Sequence, residues 1–69
     1  MGEYKKALTN LNDLLEIEKN DAFALRYREE TYLILNEYEK SKADLTTLLK
    51  INKDDEWATK AIEAIERRV

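Results

Sequence analysis

The sequence predicts an all-α domain of four antiparallel helices, and three observations carry that prediction. The chain matches itself at an offset of 34 residues, its apolar residues recur at helical spacing within each period, and it has no proline and a single glycine among 69 residues. The offset aligns Glu3 with Glu37, Tyr4 with Tyr38, Lys6 with Lys40, Leu11 with Leu45, Leu14 and Leu15 with Leu48 and Leu49, and Ile17 with Ile51. It continues through Lys19 and Lys53, Asp21 and Asp55, Ala24 and Ala58, and Glu29 and Glu63, and it sets Phe23 against Trp57 as one aromatic for another. A repeat of this length is one supersecondary unit that cannot bury its own apolar face, so neighbouring units must shelter one another from water.

The first helix is expected over about residues 3–18, where Tyr4, Ala7, Leu8, Leu11, Leu14 and Leu15 share one face. The second, over about 22–35, puts Ala24, Tyr27, Thr31, Tyr32 and Leu35 on one side, with Arg26, Glu29 and Glu30 largely elsewhere. Asp21 stands where a carboxylate can accept the free backbone N–H groups at its start. The third, over about 37–52, repeats the first through Tyr38, Ser41, Leu45, Leu48 and Leu49. The fourth, over about 55–68, repeats the second, with Asp54 and Asp55 at its start and Arg67 and Arg68 as favourable charges near its end. Thr9, Asn10, Asn12, Thr46 and Thr47 fall off the apolar stripes and are read as plain surface. Tyr4, Tyr32 and Tyr38 fall on the stripes and are read as packing residues whose hydroxyls reach water.

Length allows one domain spanning 1–69, and a domain of this size buries only about 60% of its unfolded surface. Without Cys or His there is no disulfide framework, no thiolate nucleophile, no usual zinc site and no triad built on imidazole. The acidic run Asp54-Asp55-Glu56 lacks the alternating oxygen ligands and the glycine of a calcium loop, so no metal and no cofactor is expected. Glu29 and Glu30 diverge by roughly 100° on a helix and cannot converge on one substrate atom, so no enzyme is expected. A net charge of −3 disfavours nucleic acid. The opening Met1-Gly2-Glu3-Tyr4 lacks the regions of a signal peptide and no apolar run reaches membrane-span length, which makes the cytoplasm the default location.

A 34-residue period of two helices resembles the tetratricopeptide family, and the resemblance covers the whole chain. Gly2-Glu3-Tyr4-Lys5-Lys6-Ala7-Leu8 and Asn36-Glu37-Tyr38-Glu39-Lys40-Ser41 look like the opening of that family's second helix, and Ala22-Phe23-Ala24-Leu25-Arg26-Tyr27-Arg28 with Tyr32 looks like its first. Ala7 and Ser41 take the small position at which paired helices approach. The chain departs from the family pattern at Glu29 and Glu63, where a small residue is usual, at Asn36, where glycine is usual, and at Lys19 and Lys53, where proline is usual. In this phase only 22–55 makes a complete hairpin, and Glu29 is expected to swing outward. The resemblance implies a short right-handed superhelix, an α-solenoid fragment, that grips a peptide or helix in a concave groove. Projected onto this chain, that groove is Phe23, Arg26, Glu30 and Leu33 with Trp57, Lys60, Ala64 and Arg67.

Arg26 and Lys60 could anchor a carboxylate while Phe23 and Trp57 supply apolar area; alternatively the two aromatics pack between successive helices and the charges form a solvated face. The partner is thus a protein or peptide, or a second copy of the chain. A helix of the fourth kind from one copy, followed by the first helix of another, would recreate a whole repeat. A left-handed Asn36 costs roughly 1 kcal/mol, so an exchanged dimer with helices 22–35 and 37–52 fused into one rod is a further expectation. The two-period length and the missing Pro, Cys and His also suit an engineered chain.

Overall fold

A computed structural model of the protein describes residues 2–68. The chain forms four helices, α1 (Gly2–Ile17), α2 (Ala22–Ile34), α3 (Tyr38–Ile51) and α4 (Glu56–Arg68), and no strand among the described residues. The expected boundaries differ from these by one residue or so at most ends. None of the described helices is long and apolar enough to cross a membrane.

The starts of α2 and α4 and the turns that precede α3 and α4 have identifiable causes. The Asp21 carboxylate accepts the Ala24 N–H at 3.1 Å and its repeat mate Asp55 accepts the Ala58 N–H at 3.0 Å, so both helices of the α2 kind begin on a side-chain cap. The Asn52 side chain accepts the Asp54 N–H at 3.1 Å, folding the α3–α4 turn without proline. Asn36 turns the chain between α2 and α3 at φ 62°, the one positive φ outside glycine among the described residues. Its N–H donates to the Leu33 carbonyl at 3.0 Å and the Glu37 N–H donates to the Tyr32 carbonyl at 2.8 Å. This paired arrangement closes a helix through a left-handed residue, and asparagine accepts that backbone better than most side chains. The two helices are therefore separate here and not fused into a rod.

Packing runs between chain neighbours: α1 against α2, α2 against α3, α3 against α4. Leu15, Ala24, Leu25, Leu45, Leu48, Ala58 and Ile65 form the buried core, and Leu11, Leu33, Tyr38, Leu49, Trp57, Ala61 and Ile62 pack against it. Each buried leucine or isoleucine contributes about 1.5 to 3 kcal/mol, and Ala24 and Ala58 keep the backbones close. The two halves are unequally covered. Helix α3 packs on both α2 and α4 and Leu48 is 2% exposed, while α1 makes close backbone contact with α2 alone among the described elements and the mate of Leu48, Leu14, is 40% exposed.

Several side chains stand elsewhere than the sequence suggests, among them Tyr4, read as a packing residue and 38% exposed. Glu29 does not swing outward; it is 0% exposed between α2 and α3. Tyr27, placed on the apolar side of α2, is 62% exposed. Asn12 is exposed but is not idle surface, because its side-chain oxygen accepts from Arg28 Nη1 at 2.9 Å.

Candidate recognition face

The residues projected onto a groove are only partly brought together. Phe23, Arg26 and Glu30 line one shallow hollow of about 190 Å³ on α2, joined there by Tyr27. The spacing of these four along α2 gives one face of the helix. Arg26 reaches from this hollow to α4, its guanidinium carbon 4.1 Å from the centre of the Trp57 ring. Leu33 and Trp57 are half-buried, pack on the core and line neither hollow. Lys60 lies apart, in a second hollow of about 580 Å³ beside Lys53, Glu56 and Glu63. Ala64 and Arg67 are exposed on α4 and line neither hollow.

Geometry orientates the cation on this face. Stacked on Trp57, Arg26 has no carboxylate within ion-pair distance among the described residues, and the stacking holds a planar cation with several free donors in place. Phe23 is 74% exposed, a large apolar area that water covers in the free chain. An exposed aromatic beside an orientated guanidinium can accept an apolar side chain and a neighbouring carboxylate together.

Behind this face lies a polar layer that the sequence did not disclose. Arg28 donates from Nε to Asp44 Oδ2 at 2.9 Å and from Nη2 to Asp44 Oδ1 at 2.6 Å, a two-pronged pair in which Asp44 is buried. The hydrogen bond to Asp44 raises the Arg28 pKa further, against a smaller opposing effect of burial. Next to it, Ser41 Oγ donates to Glu29 Oε2 at 2.9 Å, while Glu29 Oε1 is buried with no partner among the described residues. Burial pushes the Glu29 carboxyl above its usual range; the Ser41 hydrogen bond pulls the other way. A serine beside a carboxylate invites comparison with a nucleophile and its base, yet both residues are 0% exposed and no substrate atom could approach.

The repeat held a faint signal for this layer. Arg28 replaces the mate Ile62 and Asp44 replaces the mate Asn10, so the second and third helices gain opposite charges at positions where the other copy has none. Ser41 likewise replaces the mate Ala7 and supplies the hydroxyl that Glu29 uses. No protein-family model matches the chain, and no curated protein or solved structure matches it.

Proposed function

We propose that the chain is a protein-recognition module of the tetratricopeptide type, a short α-solenoid fragment that holds a peptide or helix against the α2 face, with Arg26 as the anchor and Phe23 and Tyr27 as the apolar contact. Helices whose backbones pack in chain order, with a 34-residue internal match, support a repeat architecture. The single observation that carries the reading is the Arg26–Trp57 stack beside an exposed Phe23, a cation held in place without a carboxylate of its own. A solvated face would leave a long arginine free and its charge loosely paired; here the guanidinium is orientated and open.

The preferred ligand chemistry is an acidic residue next to an aromatic or aliphatic one. Glu30 in the same hollow disfavours a dense acidic run. No catalysis belongs to this reading, and neither does nucleic acid, given the net charge of −3. The test is a titration of an acidic-aliphatic peptide library followed by Trp57 fluorescence. Saturable binding that weakens about tenfold in Arg26→Ala supports the reading. A smaller loss is expected in Lys60→Ala, because Lys60 lines a different hollow. Absence of saturable binding up to millimolar peptide sinks it.

A further inference from the structure

We propose that the open groove between α1 and α2 takes α4 of a second copy of this chain, joining molecules head to tail. The molecule contains its own template for that contact. In the second half of the chain the groove between α3 and α4 is filled by α2: Leu48 is 2% exposed, and Trp57 and Ala61 pack on the core. Their mates in the first half are Leu14, Phe23 and Tyr27, at 40%, 74% and 62% exposed. The same architecture is therefore present twice, once with a helix seated in it and once without.

The internal match also names the occupant: the filled groove is occupied by α2, and the other helix of the α2 kind in the chain is α4, its mate at the 34-residue offset. Arg26 becomes Lys60, so a neighbour's α4 brings a cation over Phe23 as Arg26 lies over Trp57 at 4.1 Å. Tyr32, whose ring lies 5.8 Å from Lys40 Nζ, becomes Glu66, and Lys40 becomes Lys6. The contact between copies thus sets a carboxylate against an ammonium where the internal contact has a ring. All four of Phe23, Lys6, Lys60 and Glu66 are exposed. Glu66 Oε2 stands 3.7 Å from Lys42 of its own helix pair, which leaves its other oxygen for Lys6 of the neighbour.

One position works against the join. Glu63 is the mate of Glu29 and would face Ala7, which lacks the hydroxyl that Ser41 gives Glu29. The join is accordingly weak, and it is strengthened by restoring that donor. Because unlike surfaces meet, each addition presents a further open groove instead of pairing two molecules face to face. This goes beyond the recognition reading and competes with it for Phe23 and Tyr27, whereas Lys6, Ala7 and Glu66 play no part in the Arg26 hollow.

The experiment is molar mass by light scattering and sedimentation from micromolar to millimolar protein at low salt, with helix content followed by circular dichroism. Expected is a mass that climbs from 8.2 kDa past twice that value without a plateau. Lys6→Glu and Glu66→Lys should each move the rise to roughly threefold to tenfold higher concentration. An equimolar mixture of the two variants should associate more strongly than either alone, and Ala7→Ser should move the rise to lower concentration. Lys6 and Glu66 are exposed, so helix content should be unchanged and loss of association cannot be ascribed to unfolding. A mass fixed at 8.2 kDa, a plateau at a closed dimer, or charge reversals without effect would each overturn the proposal. Peptide titration of Lys6→Glu keeps the two readings apart, since the Arg26 hollow is intact in that variant.

Discussion

Glu29 shows how a single residue can set the pH behaviour of a small fold. Burial penalises its charged form, so the folded chain keeps the Glu29 proton to a higher pH than the unfolded chain does. The stability contribution of Glu29 is then whole below the ordinary carboxylate pKa of about 4.3 and is lost as pH rises through the folded value. Urea titrations at pH 5 and pH 8 should show lower stability at pH 8 in the parent chain and a smaller difference in Glu29→Gln. At pH 8 the glutamine variant should be the more stable by about 1 kcal/mol, because it keeps an acceptor for Ser41 and removes a buried charge. The neighbouring Arg28–Asp44 pair gives an asymmetric expectation. Arg28→Ala strands a buried Asp44 and should cost about 3 kcal/mol, whereas Asp44→Ala leaves an arginine that still reaches Asn12 and water and should cost less. Chemical denaturation of both variants measures the difference.

At the level of the helices, the caps and turns do the work that proline and glycine do elsewhere. Asp21→Ala and Asp55→Ala should each lower stability by about 1 kcal/mol, the usual cost of losing an N-cap acceptor. Asn36→Ala should cost a similar amount, since alanine is strained at φ 62° and cannot accept the Tyr38 hydroxyl at 3.1 Å as Asn36 does. Asn36→Gly should lie within about 0.5 kcal/mol of the parent, because relief of the backbone is offset by greater freedom in the unfolded chain. Helix type and position were legible because periodicity, cap and repeat all agreed, and Asp21 and Asp55 were found as caps for that reason. The environment of Glu29 was not legible. Its burial depends on a hydroxyl twelve residues away on the facing helix, and helical periodicity reports the face of a residue but not who meets it there. The exposure of Tyr27 escaped for the same reason: its mate Ala61 packs on the core where α2 reaches α4, while the groove between α1 and α2 has no helix seated in it among the described residues. Of the candidate face, periodicity placed Phe23, Arg26 and Glu30 on one side of α2. The stack of Arg26 on Trp57, which joins α2 to α4, needed the tertiary arrangement.

As a whole, the molecule is a linear series of contacts in which each helix leans on its neighbours. The middle pair carries the Arg28–Asp44 and Glu29–Ser41 bonds and shares the closest backbone packing, while α1 packs its backbone on α2 alone and α4 on α3 alone, with the Arg26–Trp57 stack its added tie to α2. In such a one-dimensional arrangement the ends open at lower free energy than the centre. Hydrogen exchange should therefore protect the backbone amides of α2 and α3 longest and release those of α1 and α4 first, and a uniform protection pattern would contradict this. The single tryptophan of the chain sits at the joint between centre and end, under a guanidinium from the neighbouring helix. Detachment of α4 would strip that cover and wet the indole, shifting its emission to longer wavelength before the helical signal of the rest is lost. Nature of the fluorophore and place in the fold thus give the protein a built-in optical gauge of its own fraying, readable without any label.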